Sequence, residues 1–516
     1  MSESKSHNLF EVFRNRFPAD EKVPFLKVDD GRTFTYDDLN CISAKYANVL
    51  TSLGLKPGDR VLAQIKKSPE SVFLYLACLR TGAVFLPLNT AYQANELDYF
   101  LGDSEPTVVV GDPHENILID LCTSHKIPNF LTLSADGSGT LNKKSQIAEA
   151  KFVSVARTDS DIAAILYSSG TTGQPKGVML SHANLAANAE ALHKIWRFGP
   201  DDVLLHTLPI FHTHGLFVAI HTVLLNGTGM IFHTQFNAEN VIKDLPTATV
   251  FMGVPTYYVR LLASKKLTRN TCRNIRLFLS GSAPLLDETF CAFEKRTGKK
   301  IVERYGMTEA GIITSAVADK PRNAGDVGWP LPGVSLCITD DNNAELSQGK
   351  IGEIKVKGPG LFRGYWRRPE KTEKEFTVDG FFKTGDLARV NESGMISIVG
   401  RKNDMIISGG FNVYPKEIEA AIDKLPGVEE SAVISMTHPE FGEAGLAVVV
   451  MAPEAKTLRN EEMRAVLIKD LANYKIPKLF VLTNKLPRNA MGKVQKNLLR
   501  NGYEAQWNAY LKTINS

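Results

Sequence analysis

Residues 162–177, IAAILYSSGTTGQPKG, constrain this chain more than any other stretch. The apolar run from Ile162 to Leu166 has the length and composition of a buried strand. It leads straight into a loop holding three glycines, the hydroxyls of Ser168, Ser169, Thr171 and Thr172, and one lysine, Lys176. Backbone N–H groups and hydroxyls at that density can wrap phosphate oxygens while the lysine neutralises charge. The loop is not of the Walker type: GxxxxGK[ST] is broken by Pro175 before the lysine and Gly177 after it. Leu185, Ala189, Leu192 and Trp196 recur at helical spacing and predict a helix following the loop.

The same alternation of strand and helix runs through the first four hundred residues and predicts an α/β fold of parallel-type sheets flanked by helices. Asp59–Ile65 reads as a strand, and the next helix carries Val72, Leu76 and Leu79 on one face. Gly82 stands where a left-handed cap is wanted, and Ala83–Leu88 begins the next strand. After the strand-like run 395–400, MISIVG, the composition turns polar. The expected organisation is a large domain over 1–400, a hinge at 401–403 and a small mobile α+β domain over 404–516.

With 516 residues the chain exceeds one compact core. Sixty basic against fifty-six acidic residues leave a net charge of +4, with no basic run to serve as a nucleic-acid or membrane footprint. Small molecules are the expected ligands. The six cysteines form no CxxC pair, which argues against a disulfide framework or zinc site. The first residues form no signal or transit peptide, and no apolar run reaches the roughly 20 residues of a membrane span; a cytoplasmic protein is expected.

SSGTTGQPKG resembles the phosphate loop of the adenylate-forming superfamily of acyl-CoA synthetases, peptide-synthetase adenylation domains and luciferases, and further family motifs follow in order. SGSAP (280–284) and YGMTE (305–309) resemble the adenine turn and the segment after it. TGD (384–386) with Gly400-Arg401 resembles the ribose-binding pair, and PRNAMGK (487–493) the catalytic-lysine loop.

The resemblance implies an enzyme that uses ATP, Mg²⁺ and coenzyme A to make an acyl-adenylate and then a thioester. Ser168, Ser169, Gly170, Thr171, Thr172, Gly173 and Lys176 would hold the phosphates. Gly281, Ser282, Ala283, Tyr305, Gly306 and Met307 would surround the adenine. Thr308 would bond the α-phosphate and Glu309 would hold Mg²⁺, a hard cation that prefers oxygen ligands. Asp386 and Arg401 would take the ribose, and Lys493 the charge that builds during in-line attack. Ser408, Gly409 and Gly410 resemble the loop that opens the thiol channel. Asn403 occupies the hinge position, where the family usually has Asp or Lys.

Within the superfamily, residues 86–100, 208–219, 252–262, 276–286 and 409–419 resemble malonyl-CoA synthetases. That implies a short dicarboxylate, malonate, with a ligase for methylmalonate, acetate or a small aryl acid as the alternative. A second carboxylate demands a cation, because a buried unpaired charge costs several kcal/mol. Period-2 alternation puts Arg276, Phe278 and Ser280 on one strand face, so Arg276 is the expected partner. His212, Thr256 and Ser280 would line the rest of the acid pocket, with His214 beside them.

Overall fold

A computed structural model describes residues 7–168, 175–317, 320, 322–409, 411–453, 455 and 458–514. Two large sheets carry the first part of the chain. In one, Asn129–Thr132, Val108–Gly111, Arg60–Gln64, Val84–Pro87 and Ile162–Ser168 lie side by side, with Lys176–Ser181 at the edge. Arg60–Gln64 and Val84–Pro87 are parallel, joined through the helix Pro69–Thr81. Its capping residue Gly82 adopts φ 70°, the left-handed conformation expected there.

The second sheet has nine strands, and its centre runs Ile301–Met307, Leu277–Ser280, Val250–Gly253, Val203–His206, Gly229–Phe232. Neighbours in this run are parallel. Every residue of Leu277–Ser280 and Val250–Gly253 is buried, as befits parallel strands covered on both faces.

Two regions depart from simple α/β layering. Residues 335–401 contain a four-stranded sheet that is antiparallel throughout. The phosphate loop does not open onto a helix. It joins Ile162–Ser168 to an antiparallel strand, Lys176–Ser181, and the helix His182–Trp196 begins only afterwards. The reason lies in KGVMLS, where Val178 and Leu180 are buried against the sheet.

Toward the C-terminus a five-stranded sheet is built from Ile406–Ser408, Phe411–Val413, Val428–His438, Gly442–Met451 and Leu479–Thr483. It has its own cores, one around Ile418, Val433 and Met463 and another around Ile434, Leu446 and Trp507. The fold is thus a large α/β part followed by a smaller C-terminal one. No described helix is long and apolar enough to cross a membrane.

Candidate active site

Ser168 and Lys176 face each other across the hairpin that carries the phosphate loop. Ser169, Gly170, Thr171, Thr172 and Gly173 lie outside the described residues. The Lys176 ammonium sits 5.1 Å from the centroid of the Tyr365 ring. Burial, then Lys371, lowers its pKa from the ordinary lysine value.

Glu309 follows Thr308 in the turn between Ile301–Met307 and Gly311–Ser315. It is 7% exposed, and its Oε1 accepts from the Tyr365 hydroxyl at 3.1 Å. Burial raises its pKa, and it makes no ion pair within 4 Å among the described residues. A buried carboxylate held only by a hydroxyl is suited to a hard cation. No cluster of three or more metal-ligating side chains occurs among the described residues. The donor set therefore fits an ion completed by phosphate oxygens and water, as Mg²⁺ is when bound with a nucleotide.

Asp386 and Arg401 are register partners on adjacent strands, and Arg401 Nε donates to Asp386 Oδ1 at 2.8 Å. The other carboxylate oxygen accepts from the Tyr305 hydroxyl at 2.6 Å. Tyr305, Asp386 and Arg401 are thereby one unit, and the hydroxyl end of Tyr305 is committed to the carboxylate proposed for the ribose. Ser282 adopts φ 72° in the turn after Leu277–Ser280, with its Oγ 3.2 Å from His214 Nδ1.

His212 and His214 gather beyond that turn around a residue the sequence reasoning passed over, Arg304, whereas Ser280 is in register with Glu303, one residue earlier on the neighbouring strand. Arg304 is 6% exposed, and its Nε and Nη2 have no hydrogen-bond partner among the described residues. His214 Nε2 and Ser280 Oγ are buried and unpartnered too. Burial, then the Arg304 charge, pushes His212 down to about 4 and His214 well below its ordinary value. Both rings are therefore neutral and leave Arg304 as the cation. Gly281 makes room for it: a Cβ there would stand 2.4 Å from the guanidinium carbon. The available signal was an arginine inside an otherwise buried strand, Ile301–Met307, where an unpaired charge needs a reason.

Arg276 is not in this group. It precedes the strand Leu277–Ser280, so Ser280 stands at the opposite end, about 13 Å along the strand at roughly 3.3 Å per residue. Its Nε and Nη2 bond Asp202 at 2.8 and 2.5 Å, and Nη1 and Nη2 reach the carbonyls of Trp196 and Arg197. The expectation that Arg276 meets the acid is corrected. Alternation groups Arg276 with Ser280 but does not bring it to the turn where Arg304 lies.

The C-terminal part reaches the same site. A Cβ on Gly492 would lie 3.2 Å from Thr256, at the start of the helix Pro255–Ala263, and Met491 is buried in the core of the large part. Asn489 Oδ1 accepts from the backbone of Met491 and Lys493, shaping the loop. Burial, then Arg401, lowers the Lys493 pKa, while Asp386 opposes the fall. Asn403 lies in the short turn Lys402–Asp404, braced by Lys402 on Asp341 and Glu353 and by Arg500 on Asp404. Ser408 is buried, and Gly409, at φ 57°, donates to the Phe441 carbonyl. Gly410 lies outside the described residues.

A model of the AMP-binding enzyme family matches residues 10–366, and one of the AMP-binding enzyme C-terminal domain matches residues 417–493. The chain is 33% identical over 558 aligned positions to a malonate–CoA ligase of Arabidopsis thaliana, covering 98% of this chain and 90% of that one. It superimposes on MatB of Rhodopseudomonas palustris with ATP bound at a TM-score of 0.94 and 48% identity, covering 96% and 99%. Apo MatB, at the same identity and coverage, gives 0.83. Sequence is equal in that pair, so the difference lies in the arrangement, and the arrangement here is that of the ATP-bound form.

Proposed function

This chain belongs to the AMP-binding enzyme family, and we propose that it joins malonate to coenzyme A in two ATP-dependent steps. One malonate carboxylate attacks the α-phosphorus of ATP, giving malonyl-adenylate and releasing pyrophosphate. The coenzyme A thiol then attacks the anhydride carbonyl, AMP leaves, and malonyl-CoA is formed.

The observation that carries the acid assignment is Arg304, a buried guanidinium with two nitrogens unpartnered among the described residues, beside neutral His212 and His214. Burying a charge without a partner is costly, and a carboxylate that bonds it relieves that cost. The carboxylate of malonate that does not react meets that need; a neutral alkyl end does not.

The remaining roles follow from position. Lys176 neutralises the departing pyrophosphate, and Lys493, delivered beside Thr256, stabilises charge as the carboxylate attacks. Mg²⁺ on Glu309 would draw charge from the phosphate oxygens. Asp386 and Arg401 bind the ribose. Residues 401–403 act as the hinge between the large domain, 1–400, and the small one, 404–516. Turning there withdraws Lys493 and presents Ser408–Gly410 to the thiol. Beside that loop, Arg464 and Lys478 line a cavity with His438, Phe441 and Tyr510, offering cations to the phosphates of coenzyme A. With six free cysteines, the protein suits a reducing cytoplasm.

The test is release of pyrophosphate and AMP over malonate, methylmalonate, acetate and benzoate, with and without coenzyme A. Malonate should support both products at the highest kcat/KM. A monocarboxylate that outruns malonate would overturn the assignment.

A further inference from the structure

Tyr365 lies in GYWRRP, a stretch to which neither half-reaction above assigns a role. Residues 363–366 run along the strand that begins with Lys176: Arg363 N donates to Met179 O, Met179 N to Gly364 O, and Trp366 N to Gly177 O. Val178 and Tyr365 form an antiparallel bridge. One residue before the segment, Phe362 N donates to Glu309 O at 2.8 Å. The same short stretch is thus bonded to the phosphate hairpin on one side and to the Glu309 turn on the other.

The Tyr365 side chain repeats that bridging. It is 4% exposed; its hydroxyl donates to Glu309 Oε1 at 3.1 Å, and its ring lies 5.1 Å from the Lys176 ammonium. Phe362 packs edge-on to the ring at 4.9 Å, and Tyr365 N donates to Thr372 Oγ1 at 2.9 Å, so the ring and the backbone are each held. We propose that Tyr365 is a positioning residue shared by the metal and phosphate sites: its hydroxyl orients the Glu309 carboxylate, and its ring face holds Lys176 in place for the departing pyrophosphate. The two contacts use different parts of one side chain and can be removed separately.

This inference rests on the adenylate-forming reading but not on the identity of the acid. Mn²⁺ is titrated into the enzyme with α,β-methylene-ATP and its binding followed by electron paramagnetic resonance; the inhibition constant of pyrophosphate is measured alongside. Tyr365→Phe keeps the ring and removes the hydroxyl. It should weaken Mn²⁺ about 10- to 100-fold, the usual effect of losing a hydrogen bond to a metal ligand, and leave pyrophosphate inhibition unchanged. Tyr365→Leu should weaken Mn²⁺ equally and raise the pyrophosphate constant a further 2- to 5-fold or so, the scale of a cation–π contact. Unchanged Mn²⁺ affinity in Tyr365→Phe, or equal pyrophosphate constants for folded Phe and Leu variants, would overturn this shared role. Should Tyr365→Leu not fold, the Phe variant alone decides: weaker Mn²⁺ with unaltered pyrophosphate inhibition supports it, and any other pair of results refutes it. Wild-type enzyme that bound no Mn²⁺–nucleotide complex would instead contradict the adenylate-forming reading itself.

Discussion

Arg276 and Asp202 form a two-point ion pair, Nε to Oδ1 at 2.8 Å and Nη2 to Oδ2 at 2.5 Å, with the Asp202 side chain 7% exposed. Thr249 Oγ1 donates to the same carboxylate at 2.7 Å. The pair fastens the start of the strand Leu277–Ser280 to the loop before Val203–His206, remote from the acid pocket.

Arg276→Met should therefore lower stability on the order of 1–3 kcal/mol, the cost of stripping a partner from a buried acceptor, while malonate and butyrate kcat/KM change by the same factor. Chemical denaturation with parallel kinetics checks it. The pH dependence has a definite sign. Burial works to raise the Asp202 pKa, but hydrogen bonds from Arg276, Gly199 and Thr249 outweigh it and hold the pKa low. A lowered folded value contributes stability above the unfolded value, about 3.9, and loses it as pH falls through the folded value. The gap between wild type and variant should narrow below about pH 4.

Lys493→Ala should slow adenylation about 10²- to 10³-fold, as loss of one preorganised donor does, and leave transfer from preformed malonyl-adenylate largely intact. In the free enzyme the lysine pKa lies below its ordinary 10.5 because of burial, then Arg401. Adenylation kcat/KM should accordingly fall on an alkaline limb below pH 10.5 that the transfer step lacks. Single-turnover pH profiles of the two steps distinguish this from a structural role, which would depress both alike.

The residues proposed for the nucleotide end could be named from the sequence because each stands in a short motif whose spacing is local: Glu309 in YGMTE, Asp386 in TGD, Lys493 in PRNAMGK. Three things were not legible there. Alternation along a strand says which residues share a face but not which end of the strand faces a ligand, so it pointed to Arg276, which is committed to Asp202, and passed over Arg304. The phosphate hairpin was read as strand then helix because KGVMLS is too short to show its own period before the helical pattern of Leu185, Ala189 and Leu192 takes over. Tyr365 had no signal at all, since its role comes from two contacts made across the fold.

Asn403→Pro should spare adenylation and stall thioester formation. Proline fixes φ near −65°, and Asn403 lies in the turn between the last strand of the antiparallel sheet and the C-terminal sheet. Rapid-quench measurement of adenylate accumulation without coenzyme A, then of its decay on adding coenzyme A, gives both rates. Equal loss in the two would remove the residue from the hinge.

Arg304 is where the proposed chemistry is most exposed to refutation. Removing the partner of a buried carboxylate costs about 3–5 kcal/mol, or roughly two to four powers of ten in kcat/KM at 1.36 kcal/mol per tenfold. Arg304→Met should also raise the melting temperature, since the ligand-free protein no longer buries an uncompensated cation. The deciding measurement is kcat/KM for malonate and for butyrate in wild type and Arg304→Met. The account predicts a loss of about 10²- to 10⁴-fold for malonate with butyrate unchanged or improved; a loss of equal size for both acids would contradict it.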